Sequence, residues 1–290
     1  MFHVKHASTL TLPLADGVRL KLERTAPTRE SGSAHQRIAV ATTRRFGRLY
    51  TLDGDGMASA ADESAIHESL AHLAALAHAA PCSALILGGG DGGSARELLK
   101  HPSTADITIA ELDPLVVDLI RAEWPDLPAG AFDDPRVRLS FGDAADTLRT
   151  LHDAGRRFDL ILFDLTAADD PACAHLHGDD FLRLCAAALN PGGCVHIQLG
   201  SPFYQPDKIH RLAQRLRRIF PFITPALIHV PLYGGPWLLA VASLHPPTPT
   251  DVRQLTERMI ERRIAGLRYY NPGLHLAAAS LPNYVSDLLA

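Results

Sequence analysis

The sequence predicts an α/β protein: a doubly wound sheet preceded by a small N-terminal region of antiparallel β-hairpins. Three observations carry that expectation. From Ala84 onward, short runs of branched apolar residues alternate with helical segments, which specifies a parallel sheet covered on both faces. The first of these runs enters a glycine cluster that opens a helix, the usual form of a ligand-binding strand-to-helix turn. Residues 1–58, by contrast, alternate with period two between turn residues, as hairpins do. The expected division is therefore 1–58 for the β region and 59–290 for the α/β domain.

Taken in order, LTLPLADGVRLKLER reads as a hairpin turning at Ala15-Asp16-Gly17. Arg29–Ser33 reads as a turn cluster, and QRIAVATT and FGRLYTLDG as further strands. So few hairpin residues bury little surface alone, so they are expected to pack on the rest of the chain or on a second subunit. Asp62–His78 is helical: Ile66, Leu70, Leu73 and Ala74 share one stripe, and Asp62 and Glu63 sit in the first turn, where the helix dipole favours acids. Pro81 lies just beyond its end. ALILGGG is then a strand and SARELLKH its helix, followed by ITIAELD and LVVDLIRAEW. VRLSFGDA, LILFDLT and CVHIQLGS read as three more buried strands, separated by the helices AADTLRTLHDAG and DDFLRLCAAAL. KIHRLAQRLRRIF is an amphipathic helix, and ALIHVPLYGGPWLLAVASL supplies two strands around Gly234-Gly235. TDVRQLTERMIERRI is a helix capped by Thr250 or Asp251, and HPPTPT before it is a connector.

Composition narrows the partners. The 290 residues are 47% hydrophobic and 21% charged, with 28 basic against 32 acidic side chains. That slight acidity argues against nucleic acid, whose binders carry a basic excess. No apolar run reaches the ~18–20 residues that span a bilayer, and MFHVKHASTLTLPLADGV lacks the apolar core of a signal peptide. Cys82, Cys173, Cys185 and Cys194 never approach CxxC spacing and read as thiols rather than disulfides or zinc ligands. A reducing cytoplasm is the expected compartment. The fifteen histidines form no HxxxH pair, so no metal centre is expected, and no GxSxG is present.

The chemistry concentrates at strand ends. Gly88, Gly90 and Gly93 of Gly88-Gly89-Gly90-Asp91-Gly92-Gly93 satisfy GxGxxG, so a dinucleotide site has to be considered. Asp91 changes the reading: a carboxylate inside the loop repels a pyrophosphate and suits a cationic ligand. Glu111 ends the second strand near the ~20-residue spacing at which an acid accepts both ribose hydroxyls. Asp143, in Phe141-Gly142-Asp143-Ala144, follows the third strand and can accept from an adenine amino group. Asp164 ends the fourth strand and points into the same crevice. Together these acids describe an adenosine attached to something positive. Residues 166–180 read as a lid, with Asp169 and Asp170 able to reach the site, and Tyr233 in the YGGPW turn as a further lining residue.

These residues resemble the spermidine synthase group of polyamine aminopropyltransferases. The likeness runs from about Gln36 to the C-terminus through HQRIAV, FGRLYTLDG, DESAIHESLAH, LILGGGDGGSARELLKHPS, DDPRVRLSFGDA, FDLT, QLGSPF, YGGPW and YYNPGLHLAAASLPNY. The resemblance implies a Rossmann-like methyltransferase-type sheet behind a β-hairpin domain, in a homodimer or homotetramer. It implies transfer of an aminopropyl group from decarboxylated S-adenosylmethionine to an amine, with release of methylthioadenosine and no metal. It places Gln36, Gly88, Gly90, Glu111, Asp143 and Ala144 on the nucleoside and Asp91 on the aminopropyl amine. Asp164 becomes the acid that receives the attacking amine, while His67 and Tyr233 stand on the acceptor side. The departures lie on that side too. Ile66 replaces the family's tyrosine before His67, Ala167 replaces its second acid, and LHG (176–178) stands in the lid. An acceptor other than putrescine is therefore expected. The alternatives are an N-methyltransferase using intact S-adenosylmethionine on the same scaffold, or a non-catalytic nucleoside-binding relative.

Overall fold

A computed structural model describes residues 8–165, 173–248 and 250–290. Its centre is a seven-stranded sheet in the order β12-β13-β11-β10-β7-β8-β9. The strands are β7 (Ser83–Gly88), β8 (Asp106–Glu111), β9 (Val137–Phe141), β10 (Phe158–Asp164), β11 (Leu189–Gly200), β12 (Phe222–Val230) and β13 (Gly235–Ser243). The first five run parallel to one another. β13 lies antiparallel to both β11 and β12, so the sheet is mixed rather than wholly parallel. The short Gly234-Gly235 connection explains this, because a tight turn joins only antiparallel neighbours.

Helices cover both faces, as the strand alternation requires. Leu85, Leu87, Ile161 and Phe163 face a core with α4 (Ala144–Asp153), α5 (Asp179–Ala187), α6 (Pro206–Ile219) and α9 (Asn283–Leu288). Ala84, Ile86, Leu160 and Leu162, one residue out of phase, face α1 (Glu63–Ala77), α2 (Gly93–Leu98) and α3 (Pro114–Glu123). That split is the period-two geometry of a strand buried on both sides. α1 is buried almost all round, because α7 (Val252–Glu261) and α8 (Pro272–Ala278) close over the face that the sheet does not cover. α7 begins at Asp251 in a full capping box with Gln254, the second of the two expected caps.

The N-terminal residues form a hairpin, β1 (Thr9–Ala15) and β2 (Val18–Glu23), and a four-stranded antiparallel sheet. The sheet runs β3 (Arg29–Gly32), β4 (Arg37–Thr43), β5 (Gly47–Leu52) and β6 (Asp55–Ser59). Both pack on the rest of the chain: Ile38, Val40 and Tyr50 against Val116, Ile120 and Trp124 of the α3 region, and Leu12 and Leu49 against Leu232.

Three expectations are corrected. Arg29–Gly32, read as a turn, pairs with β4 as an edge strand; backbone hydrogen bonds suffice there and exposed polar side chains cost nothing. β9, read as buried, is the sheet edge and leaves Phe141 half exposed. The acids of the first turn of α1 do more than meet a helix dipole: Asp62 accepts from Leu232 N at 2.7 Å and from Ser59 Oγ, tying β6 and the turn before β13 to the helix.

Candidate active site

The strand order sets the place. The chain moves from β7 through β8 to β9 on one side, then returns to β10 on the other side of β7. The two loops leaving β7 and β10 diverge, and ligands bind in the crevice between them. Asp164 is in register with Gly88 across that junction. A cleft of about 880 Å³ opens there. It is lined by Gln36, His67, Gly88, Gly90, Asp91, Glu111, Asp143, Ala144, Asp164 and Tyr233, which are the sequence-derived site residues apart from Asp169 and Asp170. Those two, with Ala167, lie outside the described residues.

Glu111 and Asp91 are held by the glycine loop itself. Glu111 Oε2 accepts from Gly90 N at 3.0 Å and Oε1 from Asp113 N at 2.9 Å. A Cβ on residue 90 would stand 2.7 Å from that carboxylate, so any larger residue there would displace Glu111 from the loop. Burial pushes Glu111 up to about 7 in spite of the two amide donors. Asp91 is 4% exposed. Its Oδ1 accepts from Gly93 N at 2.8 Å, and its Oδ2 from Tyr50 OH at 2.9 Å, with His67 Nε2 3.3 Å away. Burial raises such an acid, but the His67 charge and these donors hold Asp91 down to about 2.

Asp164 is tuned the other way. Its Oδ2 is sealed from solvent and has no hydrogen-bond partner among the described residues. Burial first, and the Asp91 charge second, push its acid up to about 6. A carboxylate raised by burial and a neighbouring anion, sited in a cleft, is the form a proton acceptor takes.

One end of the cleft is built from the N-terminal sheet and two strand ends. Gln36 donates from Nε2 to Asp113 Oδ2 at 3.2 Å, and Ser33 Oγ to the same oxygen at 2.6 Å. Asp143 caps α4, accepting at Oδ1 from Ala145 N and Asp146 N, while its Oδ2 lies 2.8 Å from His175 Nε2. Both oxygens therefore already have partners, which the strand-end reading did not foresee. His175 and His177 form an HxH pair that separates in space: His177 turns to Cys173 O at 3.1 Å instead.

Around Tyr233 the cleft lining is uncharged. Tyr233 OH donates to Met57 O at 2.6 Å, and its ring lies 4.7 Å from that of Trp237. Trp237 Nε1 donates to Gln198 Oε1 at 2.9 Å, and Met57, Leu165 and Gln198 line the cleft. Ile66 does not line it. Its side chain packs in the apolar cluster behind Tyr233 and Trp237. Tyr50, Met57, Gln198 and Asp113 were missed by sequence reasoning. A polar Gln at the carboxyl end of VHIQLG was a usable signal for one of them, since ligand sites gather there.

His67, Asp91 and Asp164 bring ligand-type atoms within 4.8 Å of one another. No spacing in the sequence announces this group. A metal needs a free imidazole lone pair, whereas both nitrogens of His67 face carboxylates, Glu63 at 2.8 Å and Asp91 at 3.3 Å. The arrangement suits an ammonium better than a metal ion.

Comparison with known proteins follows the same line. The model of the spermine/spermidine synthase domain matches residues 63–250. A polyamine aminopropyltransferase of Nitrosomonas europaea is 37% identical over 279 residues, covering 96% of this chain and 85% of its own. One from a Ruegeria species is 38% identical over 264 residues, covering 89% and 90%. Among solved structures, a spermidine synthase in complex with the transition-state analogue AdoDATO superposes with a TM-score of 0.90 at 29% identity, covering 98% of this chain and 96% of that one. The spermidine synthase from Thermotoga maritima gives 0.88 at 29% identity, covering 98% and 95%.

Proposed function

This chain belongs to the spermine/spermidine synthase family, and from that premise we propose that it transfers the aminopropyl group of decarboxylated S-adenosylmethionine to an amine. The observation that carries the proposal is the pair Asp91 and Asp164: one carboxylate saturated and ionised, the other with a bare, sealed oxygen beside it. In this reading residues 1–58 supply Gln36, Tyr50, Leu52 and Met57 to the cleft and residues 59–290 supply the rest.

The roles follow from the geometry. Glu111 takes the ribose hydroxyls, Asp143 and the Ala144 backbone meet the adenine with Gln36 beside it, and Gly88 and Gly90 let the nucleoside approach bare main chain. Asp91 attracts the aminopropyl ammonium. An intact S-adenosylmethionine would bring a carboxylate there; at an effective dielectric of 20, like charges 4 Å apart repel by about 4 kcal/mol. The acceptor nitrogen attacks the methylene carbon bonded to the sulfonium, the C–S bond breaks, and its electron pair stays on sulfur as neutral methylthioadenosine. Before the attack the acceptor ammonium gives one proton to Asp164, which frees the lone pair that displaces the sulfur.

An alkylammonium of pKa about 10.4 costs roughly 4–5 kcal/mol to deprotonate at pH 7. Raising the acceptor acid from 3.8 to about 6 reduces the uphill transfer by about 3 kcal/mol. Holding the two reactants in line contributes more, because effective molarity supplies ~7–11 kcal/mol.

The acceptor is an amine longer, bulkier or less charged than putrescine. Support comes from the cleft lining, where Tyr233, Gln198, Met57 and Leu165 carry no charge. His67 stands behind Asp91 rather than open to those residues, and Asp169 and Asp170 remain candidates for contact from the lid. The chain acts as a homodimer or homotetramer in the cytoplasm, on small molecules; no helix among the described residues is long and apolar enough to cross a membrane.

The deciding experiment incubates the protein with each donor and an amine panel that includes putrescine, read by mass spectrometry. Methylthioadenosine and an aminopropylated product are expected. S-adenosylhomocysteine with a methylated amine makes it a methyltransferase, and nucleoside binding without turnover leaves a non-catalytic relative.

A further inference from the structure

Behind the cleft, charged side chains alternate in sign along one hydrogen-bonded file. Arg96 on α2 is fixed by three acceptors: Leu127 O at 2.7 Å, Glu97 Oε1 at 2.8 Å and Glu63 Oε2 at 2.8 Å. Glu97 is itself held by Lys100 at 2.7 Å and His72 at 2.9 Å. The same Glu63 oxygen lies 2.8 Å from His67 Nδ1, one helical turn on, and the other ring nitrogen faces Asp91. Arg96, Glu63, His67 and Asp91 thus read plus, minus, plus, minus, ending on the donor-side acid.

A glycine makes the file possible. A Cβ on Gly93 would stand 2.4 Å from His67 Nδ1 and 2.5 Å from its Cε1. Gly93 has no positive φ, so the turn itself does not demand glycine; the imidazole pressed against the start of α2 does. The last glycine of the loop is a seat for a side chain from another helix.

A neutral imidazole carries one proton, and a ring nitrogen facing a carboxylate must be the donor. His67 meets a carboxylate at each nitrogen, so only the imidazolium satisfies both. We propose that Glu63, Arg96 and Gly93 are positioning residues that hold His67 as a doubly donating imidazolium against Asp91, leaving Asp164 the one acid of the cluster outside its direct contacts. The charged groups facing His67 are Glu63, Asp91 and Asp164, with Arg96 behind Glu63 and the Tyr50 hydroxyl on Asp91. Burial pulls His67 down, but the Asp91 charge, the bonds to Asp91 and Glu63, and the Asp164 charge together carry it well above the usual histidine range. His67, Asp91 and Asp164 then sum to one negative charge, which matches one ammonium.

The effect on turnover rests on the aminopropyl-transfer reading; the protonation of His67 does not, and the test separates the two. Long-range 1H–15N spectra of the ligand-free protein, with His67 assigned through His67→Gln, read both ring nitrogens without any substrate. Both protonated at pH 8 is the expected result; a single protonated nitrogen at pH 7 overturns the proposal. In Glu63→Gln, which keeps an acceptor but removes the charge, the His67 transition falls by about one unit or more. With the imidazolium charge lost from beside both Asp91 and Asp164, the acid limb of kcat/KM moves to higher pH by about half a unit to one unit, and donor KM rises about 10-fold. At pH 9, above that limb, kcat stays within about 3-fold. An unchanged His67 transition in this variant overturns the relay, as does an equal loss of kcat at every pH.

Discussion

The two halves of the cleft are built on opposite principles. On the donor side, Asp91 and Glu111 have amide, hydroxyl or imidazole partners on every carboxylate oxygen. On the acceptor side, Asp164 keeps one oxygen bare, and the uncharged Tyr233, Gln198, Met57 and Leu165 line the same cleft. Asp91 and Asp164 share a pocket and a chemistry, yet one is held down to about 2 and the other pushed up to about 6. The difference is the closeness of a cation: His67 Nε2 lies 3.3 Å from Asp91, whereas its charge lowers Asp164 less than burial and the Asp91 charge raise it. Two acids driven apart in this way divide the work between permanent charge and proton acceptance.

That contrast has its largest consequence in Asp164→Asn. The amide cannot take the proton, so kcat is expected to fall about 10²–10⁴-fold, while methylthioadenosine binding measured by calorimetry stays within about 3-fold. The same substitution should stabilise the ligand-free protein, and the sign follows from linkage. The folded acid keeps its proton to about pH 6, whereas the unfolded one releases it near 3.8. Its contribution to stability is fully present below 3.8 and is lost as pH rises through about 6, by at most about 3 kcal/mol. Thermal melts should therefore show the Asp164→Asn variant gaining about 2–6 °C over wild type at pH 8 and nothing at pH 4. A lower Tm at pH 8 would mean that Asp164 has a partner holding it ionised.

Asp91→Asn should give the opposite stability sign at an adjacent position. It strands the buried imidazolium of His67, and breaking a buried pair costs about 3–5 kcal/mol. The expected outcome is a lower Tm at pH 7, with kcat/KM for the donor down about 10²–10³-fold, carried mostly by KM. Equal melting temperatures for the Asp91→Asn and Asp164→Asn variants would erase the distinction between the two halves.

The donor half was legible because its acids sit at strand ends, which local pattern locates. ALILGGG, ITIAELD, VRLSFGDA and LILFDLT each end where a parallel sheet presents residues to a crevice, and Asp91, Glu111, Asp143 and Asp164 all line it. What local pattern does not carry is the partner across space. Tyr50 reaches Asp91 from 41 residues away and Trp237 reaches Gln198 from 39, through sheet order and the docking of the N-terminal strands. Ile66 shows the same limit. Its place on the buried stripe of α1 was readable, but its position behind Tyr233 and Trp237, rather than in the cleft, depends on how β12 and β13 fold back. The antiparallel end of the sheet had a usable signal, since the short Gly234-Gly235 turn between two apolar runs joins only antiparallel neighbours.

The smallest expected effect tests the one donor-side acid whose partner is exposed. His175 Nε2 and Asp143 Oδ2 lie 2.8 Å apart with side chains 48% and 34% exposed, and such a surface contact contributes about 0–1 kcal/mol. His175→Ala should leave the Tm within about 1 °C. If Asp143 Oδ2 receives the adenine amino group, His175 competes for that oxygen in the ligand-free protein, and removing it should lower donor KM about 2–3-fold with kcat unchanged. Inosine-based and adenosine-based thioethers compared in competition should then differ more strongly in the variant than in wild type, because only the adenine amino group donates to a carboxylate. A higher KM would instead make His175 part of the nucleoside pocket and leave Asp143 to its visible work, capping α4 and anchoring the start of the following segment at Ala174–His177.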